Sequence, residues 1–541
     1  MTGIPPQQIL DSLFLFMTTQ TLPSVHNIPW TADCGDGHYR NPVLFADYSD
    51  PDVVRVGGDF WMTASSFSHA PGLPILHSRD LVNWTLVGHA LPALVPQEHF
   101  SQPRHGQGVW APSIRHHAGK FWIFYPDPDF GIYVITTDDP RGRWSDPIMV
   151  KAGKGLIDPC PLWDDDGQVY LVHGWARSRS GINNQLTVHK LSADATRVVD
   201  EGKVIIDGNK MPGWHTIEGP KFHKRNGWYY VLAPAGGVAE GYQAVFRSRK
   251  IDGPYEARNV MDRGGTAING PHQGAWVETA EGEHWFFHFQ ELPAYGRVVH
   301  LQPMRWLEND WPVIGIDPDG DERGEPVVMY KKPALPAQGL AVPAMSDDFT
   351  GDKLAAQWQW QANPKADWAT INAEAGVLTL RCVPQPAPDS HWNAAHLLMQ
   401  KFPAPAFTAT VCIQFRPISE NDSAGLMVFG YDYAWLGLVK HADGIKLVIR
   451  GCEQAQKGGL EKDLAEQPVD IASIFLRVHV NPGAGYEFSF SSDGETFKRF
   501  GGIFKATSSM WVGAKVGLFA SAAAGGAPKG AADFSAFELT L

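Results

Sequence analysis

Five short runs of aromatic and β-branched residues, each entered through a glycine-containing turn, recur along the first part of the chain. They occupy 58–64 (GDFWMTA), 119–125 (GKFWIFY), 167–173 (GQVYLVH), 227–232 (GWYYVL) and 282–288 (GEHWFFH). Successive runs are separated by about 50–60 residues, a period typical of four-stranded units repeated around an axis. The pattern predicts a five-bladed β-propeller, in which side chains from different blades converge on one axial pocket.

After the repeats the pattern changes to strands in which polar and apolar residues alternate, as at 376–382, 407–415 and 474–480. Such alternation is typical of sheets with one solvated face and one packed face, and it predicts a β-sandwich. A Pro/Ala-rich segment without strand alternation separates the two patterns. We predict an N-terminal extension at 1–29, a propeller at 30–330, a linker at 331–345 and a sandwich at 346–541.

Composition supports an all-β fold of two domains. A chain of 541 residues is too long for one core, and 55 Gly and 41 Pro with little helical periodicity favour turn-rich β structure. The formal charge of −13 argues against nucleic acid as a partner, because binding a phosphate backbone requires a basic surface.

The five cysteines are few and scattered, which indicates free thiols in a reducing compartment and predicts a cytoplasmic location. The apolar stretch 9–17 is short, contains an acid and lacks a positive leader, so it fits neither a membrane span nor an export signal. We therefore expect no membrane partner. A periplasmic or secreted location is the alternative if the N-terminus is incomplete.

Three acids stand at equivalent places in the predicted blades one, three and four. Asp50 precedes Pro51, Asp158 precedes Pro159, and Glu218 is enclosed by apolar and turn residues. Because proline holds its predecessor in an extended conformation, we expect the carboxylates of the two aspartates to point in a fixed direction. An apolar setting favours the protonated carboxyl, as a proton donor requires. Each acid alone fits a turn former, whereas three at equivalent places favour a catalytic site.

An ordered set of short elements resembles glycoside hydrolase family 43. The elements are 49–57 (SDPDVVRVG), 65–67 (SSF), 75–84 (ILHSRDLVNW), 109–113 (VWAPS), 157–159 (IDP) and 217–220 (IEGP). The resemblance implies a five-bladed propeller enzyme that removes β-D-xylosyl or α-L-arabinofuranosyl units from plant polysaccharides. Late elements at 347–351, 358–360 and 512–520 resemble the concanavalin-like jelly roll that follows the propeller in the β-xylosidase branch.

The resemblance implies a catalytic role for each of the three acids. Asp50 matches the general base, Asp158 the acid that orients the donor and tunes its pKa, and Glu218 the general acid. Asp47 and Asp52 are rival bases, and Asp52 is expected to make the local field more negative. Inversion is carried over from the family and requires the donor and base to lie roughly 6.5–9.5 Å apart, with Glu218 protonated and Asp50 ionised.

Further residues match the family's sugar-binding and metal positions. Phe67, Trp110 and Trp175 correspond to the hydrophobic wall of the terminal-sugar pocket, although Trp110 also fits blade core. Arg297 corresponds to an arginine that contacts sugar hydroxyls, with Arg305 as a weaker rival.

His272 matches the family's axial histidine, which often coordinates water around a central Ca²⁺, and a hydrogen-bonded core histidine is the alternative. In the sandwich, Asp348 and Asp533 are candidates for a structural calcium, with solvated loop acids as the alternative. Trp511 is expected on a sandwich loop that approaches and shortens the pocket.

These observations predict an exo-acting inverting glycosidase without an organic cofactor, acting on xylan- or arabinan-derived oligosaccharides. A homo-oligomer is compatible with the sequence. A sugar-binding propeller without catalysis, or a purely structural one, is the alternative from another class. A fructan-type glycosidase is disfavoured because neither an Asn-Asp-Pro-Asn-Gly nor an Arg-Asp-Pro element occurs.

Overall fold

The computed structural model of the protein describes residues 28–541, apart from 471–472 and 527–528. The first 27 residues of the predicted N-terminal extension, including the apolar stretch 9–17, lie outside the described residues. Strands dominate the rest, which confirms the all-β prediction. No helix in the described ranges is long and apolar enough to cross a membrane.

Five four-stranded sheets in the described part of the chain form the blades, and within each sheet the strands are hydrogen-bonded in chain order. They follow a short strand, β1 (His38–Arg40). Blade 1 contains β2 (Asp52–Val56), β3 (Asp59–Thr63), β4 (Gly72–Ser78) and β5 (Thr85–Leu91). Blade 2 contains β6 (Ser113–His117), β7 (Lys120–Asp127), β8 (Gly131–Thr137) and β9 (Ile148–Ala152). Blade 3 contains β10 (Leu156–Trp163), β11 (Val169–Trp175), β12 (Gln185–Leu191) and β13 (Lys203–Asp207).

The last two blades follow the same plan. Blade 4 contains β14 (Lys221–Arg225), β15 (Trp228–Ala235), β16 (Tyr242–Ser248) and β17 (Glu256–Met261). Blade 5 contains β18 (His272–Glu278), β19 (His284–Leu292), β20 (Gly296–Trp306) and β21 (Pro312–Ile314). Strand β22 (Met329–Lys331) then pairs with β1. The five-bladed propeller is confirmed.

The second strand of each blade, β3, β7, β11, β15 or β19, is one of the aromatic runs. These strands are buried over most of their length because neighbouring blades cover both faces of a sheet, so their apolar residues run continuously instead of alternating. Gly119 and Gly167 in the preceding turns have φ of 76° and 81°. A tight turn between antiparallel strands needs such positive φ, which explains the glycine before the run.

The second domain packs two sheets face to face, as the sequence predicts. In the described residues one sheet has the strand order β23-β27-β36-β29-β30-β31-β32, with β26 also on β36, and the other β24-β25-β37-β28-β33-β34-β35. The strands are β23 (Gln359–Trp360), β24 (Ala369–Asn372), β25 (Val377–Arg381), β26 (Val383–Pro384), β27 (Leu398–Lys401), β28 (Phe407–Arg416), β29 (Ser423–Phe429), β30 (Tyr433–His441), β31 (Gly444–Cys452), β32 (Lys462–Val469), β33 (Ser473–Val480), β34 (Gly485–Ser491), β35 (Lys498–Lys505), β36 (Lys515–Ala522) and β37 (Ala531–Thr540).

Helical segments within the described ranges are short and lie in connections. They are an α-helix, Arg177–Ser180, and 3-10 turns at His99–Ser101, Gly208–Lys210 and Ala455–Lys457.

The two domains are joined by a common apolar core and by hydrogen bonds. Phe45 and Tyr295 of the propeller belong to the same buried cluster as Phe402 of the sandwich, and the rings of Tyr295 and Phe402 meet edge to face. Asn363 of the sandwich accepts from Leu94 N at 2.8 Å and donates to Leu94 O at 2.9 Å. This fixed docking brings a sandwich loop to the propeller's axial pocket.

Candidate active site

A cavity of about 410 Å³ lies where the blades converge. Its lining includes every residue that the sequence predicts for catalysis and sugar binding: Asp50, Phe67, Trp110, Asp158, Trp175, Glu218, His272 and Arg297. The acids reach it from the entry of β2, from β10 and from the turn before β14. The structure therefore brings together side chains that are far apart in sequence and belong to different blades.

Asp50 is buried at the wall of this cavity and is surrounded by donors. Its Oδ2 accepts hydrogen bonds from Ser49 Oγ at 2.6 Å and Ser65 Oγ at 2.5 Å. Arg297 Nη1 lies 3.3 Å from its Oδ1 and also donates to Ser49 Oγ at 2.9 Å. These contacts fix the direction of the carboxylate.

Asp158 is a more deeply enclosed carboxyl group. It lies in an irregular part of β10, where the register with β11 shifts between Ile157 and Cys160. Its Oδ2 accepts from Gly219 N at 2.8 Å, the amide that follows Glu218. Burial, reinforced by the negative charges of Glu218 and Asp50, raises the pKa of Asp158 to about 8. The raised pKa favours the protonated form of Asp158 at neutral pH.

The expected extended conformation before proline is wrong for both aspartates. Asp50 has a φ of 55° and Asp158 a φ of 56°. Proline excludes the right-handed helical region for its predecessor, but hydrogen bonds to the carboxylates select a left-handed conformation instead of an extended one. Such strain costs about 1–3 kcal/mol per residue and persists where surrounding contacts over-determine it, as at active sites.

Positive φ is a general feature of the cavity wall. Besides the two aspartates, the non-glycine lining residues with φ between 36° and 64° are Phe67, Asn184, Thr216, Gln273 and Trp511. Seven of the residues that line the cavity therefore have a left-handed backbone conformation, two of them within strands.

Glu218 is the most accessible of the three acids, with 28% of its side chain exposed. Its Oε1 lies 3.1 Å from Nε2 of His272, the first residue of β18. His272 is buried against Phe289, which fixes the ring plane. Exposure to the cavity suits a group that must exchange a proton with a ligand and then with solvent.

Arg297 lies on β20 and lines the cavity. The guanidinium carbon lies 4.7 Å from the ring centroid of Phe289 and 5.6 Å from that of Trp511. Glu291 Oε1 is 3.4 Å from its Nε. The rival, Arg305, is exposed and pairs with Asp317 outside the cavity.

An aromatic wall covers the acids. Phe67 and Trp110 meet edge to face at 6.4 Å, and Trp110 meets Trp511 at 6.2 Å. Trp175 also lines the cavity and donates from Nε1 to Thr187 Oγ1 at 2.9 Å. The alternative that Trp110 is blade core is excluded by its half-buried position in the lining, and Trp511 brings the sandwich into the pocket as expected.

The two rival bases have other partners. Asp52 Oδ2 accepts from Arg115 Nη1 at 2.6 Å and from Ile114 N at 2.8 Å, and Lys221 Nζ lies 3.7 Å from Asp52 Oδ1. The expectation that Asp52 makes the site more negative is therefore wrong, because two cations neutralise it between blades. Asp47 accepts from two backbone amides and does not line the cavity.

Several lining residues were not identified from the sequence. Arg177, Ser178 and Asn183 form the rim next to the short helix, and Asn184 and Gln273 lie deeper. Gln273 directly follows the predicted histidine and could have been found from that position. The rim residues occur in a polar connection, which in sequence looks like any solvated loop.

The calcium sites expected from the resemblance have a weak structural basis. No group of three or more His, Cys, Asp or Glu residues in the described ranges is placed to hold a metal ion. Asp533 Oδ1 accepts from Thr379 Oγ1 and Arg416 Nη2, both at 2.6 Å, which does not fit a calcium ligand. Asp348 accepts from Thr350 N and Oγ1. His272 Nδ1 is buried without a hydrogen-bond partner among the described residues, which fits a water, and an axial cation stays a prediction.

Comparison with known proteins gives consistent matches over both domains. The model of "Glycosyl hydrolases family 43" matches residues 39–312, and that of "Beta xylosidase C-terminal Concanavalin A-like domain" matches residues 346–540. A β-xylosidase of Formosa agariphila is 30% identical, with 90% of this chain and 88% of that protein covered.

Two further relatives extend the comparison. A non-reducing end α-L-arabinofuranosidase of Bacteroides ovatus is 29% identical over 72% of this chain and 73% of that protein. The crystal structure of a xylan β-1,4-xylosidase from Bacillus halodurans superposes with a TM-score of 0.82 at 25% identity, covering 93% of this chain and 100% of that one.

Proposed function

The chain belongs to glycosyl hydrolase family 43, whose members are inverting glycosidases, and we propose that it releases terminal β-D-xylosyl or α-L-arabinofuranosyl units from xylan- or arabinan-derived oligosaccharides. The observation that carries the proposal is the convergence of Asp50, Asp158, Glu218 and Arg297 on one cavity. A sugar ring seated there is flanked by carboxyl groups from separate blades.

In the proposed mechanism Asp50 is the general base. Two serine hydroxyls and the Arg297 guanidinium stabilise its carboxylate and aim it, so it can take a proton from a water that attacks the anomeric carbon. Arg297, which contacts Asp50, also presents donors to the cavity that suit vicinal sugar hydroxyls.

Glu218 is the proposed general acid, and Asp158 orients it. The hydrogen bond from Gly219 N to Asp158 fixes the backbone beside Glu218, and His272 holds one carboxyl oxygen. The raised pKa of Asp158 keeps a proton among these carboxyl groups at neutral pH, and catalysis requires a proton on Glu218 when the leaving oxygen is in place. Glu218 can then protonate the leaving oxygen while water attacks the opposite face, which inverts the anomeric centre.

Exo action is supported by the shape of the site. Trp110 and Trp511 close one side of the cavity, and Trp511 comes from the other domain. A polysaccharide chain that continued in that direction would collide with the sandwich. Only a terminal unit fits, with the remainder of the chain leaving past the rim at Arg177 and Asn183.

Two variants test the roles of the acids. Glu218→Ala should lower kcat/KM for xylobiose by on the order of 10²–10⁴-fold, and should lower it much less for p-nitrophenyl β-xyloside, because p-nitrophenolate leaves without a proton. Asp50→Ala should impair both substrates equally. Glu281→Ala, an exposed acid in a blade 5 turn, is the matched control and should stay within about twofold of the wild type.

The wild type tests the function itself. Proton NMR of xylobiose hydrolysis should show α-xylose as the first product, since inversion of a β-linkage gives the α anomer. An initial β anomer contradicts the water-attack mechanism. If wild type and Glu218→Ala release equal, background amounts of p-nitrophenol from aryl xylosides and aryl arabinofuranosides, the proposed enzymatic activity is contradicted and a sugar-binding propeller is favoured.

A further inference from the structure

Asp47, three residues before the proposed base, is a buried carboxylate that joins the two domains. Its Oδ1 accepts a hydrogen bond from Arg297 N of β20 at 2.9 Å. Its Oδ2 accepts one from Gly513 N, in the sandwich loop that precedes β36, at 3.0 Å. One side chain thus holds a propeller strand and a sandwich loop at a fixed separation.

The two backbone segments at this contact lie too close together for a side chain to fit between them. A Cβ on Gly296 would lie 2.6 Å from Asp47 Cγ and 2.6 Å from Gly513 N, and a Cβ on Gly513 would lie 2.5 Å from Tyr295 O. Ala514 N donates to Ala294 O at 2.6 Å. Both glycines are required, because any side chain at either position would separate the strand from the loop.

Each element that Asp47 holds carries a pocket residue. Arg297 provides the guanidinium that contacts Asp50. Trp511, two residues before Gly513 and at a φ of 64°, forms the outer wall and lies over that guanidinium. A shift of the loop relative to β20 would therefore move the wall, the guanidinium and the base together.

Two lysines of the sandwich, one buried and one half-buried, face the same carboxylate. Lys401 and Lys515 are paired across β27 and β36. Burial lowers the pKa of both amines, and the charge of Asp47 opposes that shift in each case. Lys515 Nζ has no hydrogen-bond partner among the described residues. The negative charge of Asp47 therefore offsets positive charge that the interface would otherwise leave uncompensated.

We propose that Asp47 is a positioning residue for catalysis, which sets the pocket by locking the Trp511 loop of the sandwich onto the Arg297 strand of the propeller. This inference rests on the proposed function for its kinetic readout, although the contact itself can be tested without any substrate. Asp47 acts through Arg297 and Trp511 and does not touch the sugar.

The test compares Asp47→Asn and Asp47→Ala with Asn363→Ala. Asparagine offers one carbonyl oxygen and can accept from only one of the two amides, so the Asp47→Asn variant should be less active than the wild type and the Asp47→Ala variant less active still. We expect kcat/KM for xylobiose to fall on the order of tenfold for Asp47→Asn and a hundredfold for Asp47→Ala, through both a lower kcat and a higher KM. Asn363→Ala removes another hydrogen-bonded domain contact that does not line the cavity, and should stay within about twofold.

Hydrogen–deuterium exchange provides the structural readout. In both Asp47 variants the amides of Arg297 and Gly513 should exchange faster than in the wild type, while Asn363→Ala should leave them unchanged. Circular dichroism checks that each variant is folded. If Asp47→Ala does not fold, Asp47→Asn alone provides the test.

The outcomes separate this inference from the function. If the wild type releases neither xylose nor arabinose, the proposed function is refuted. Hydrogen–deuterium exchange still reports in that case on the contact that Asp47 makes with Arg297 and Gly513. Full activity and wild-type exchange in Asp47→Asn overturn the positioning role. An equal loss of activity in Asn363→Ala also overturns it, because Asp47 would then contribute only to general docking of the domains.

Discussion

Replacing Asp158 by asparagine should change how the stability of the protein depends on pH. The pKa of this carboxyl is raised from 3.8 to about 8 by burial and by the neighbouring charges of Glu218 and Asp50. Between these two pH values the folded state binds a proton that the unfolded state has released. The group's contribution to stability is therefore fully present below about pH 4 and is lost as pH rises toward 8.

The size of the effect follows from the shift. Each pKa unit corresponds to about 1.4 kcal/mol, so the roughly three units from about pH 5 to about pH 8 give an upper bound of about 4 kcal/mol for the change in free energy of unfolding. Because the neighbouring acids can share the proton, the change in free energy of unfolding should be smaller than this bound, and we expect at least about 2 kcal/mol. Asparagine resembles the protonated acid and keeps an acceptor for Gly219 N, but it does not titrate.

The assay is urea unfolding followed by tryptophan fluorescence at pH 5 and pH 8. Wild type and Asp158→Asn should be similar at pH 5, and the variant should be the more stable protein at pH 8, although its activity is impaired. Asp138→Asn, at an exposed position in blade 2, is the control and should follow the wild type at both pH values. Parallel pH profiles for wild type and Asp158→Asn would refute the raised pKa and the proton assignment built on it.

Three further substitutions give distinct outcomes. Trp511→Ala removes a pocket wall and should raise KM for xylobiose about tenfold with little change in kcat, in steady-state kinetics. Gly296→Ala should destabilise the fold by about 3 kcal/mol in thermal unfolding, because its Cβ meets Asp47; Gly167→Ala, at a similar φ but in open space, should cost only about 1 kcal/mol. Glu461→Gln breaks a buried pair with His391 at 2.6 Å and should lower the unfolding free energy by about 3–5 kcal/mol while the activity of the folded fraction persists. Equal destabilisation by the two glycine variants contradicts the steric argument for Gly296. An unchanged KM in Trp511→Ala contradicts the role of this wall, and an unchanged melting temperature in Glu461→Gln contradicts the importance of the buried pair.

The propeller could be predicted because its signal is local and repeated. Each blade places a glycine turn before a second strand that is covered on both faces, as for Gly119 before β7 and Gly167 before β11, so burial leaves a continuous apolar run in the sequence. Asp50 and Asp158 could also be identified from a local, repeated signal, because each precedes a proline at an equivalent place in its blade. Their meeting in one cavity follows from the closure of the blades.

The remaining features depend on contacts between distant residues. The roles of Asp47 and Asp52 are set by partners in other blades or in the other domain, and Gly513 is 466 residues from Asp47. The raised pKa of Asp158 depends on how deeply its carboxyl is buried in the folded protein, which the sequence does not show. The left-handed backbone of the aspartates is selected by hydrogen bonds to their side chains, whereas the pre-proline rule describes only local sterics.

The wall that Trp511 contributes is made after the propeller. During synthesis the blades leave the ribosome before the sandwich loop that carries Trp511 exists, so the pocket of a nascent chain lacks this wall. Fragments that stop short of this loop would present an open trough in place of a closed end. Truncating Trp511 while Gly513 keeps its hydrogen bond to Asp47 would open this end and leave the domain contact in place.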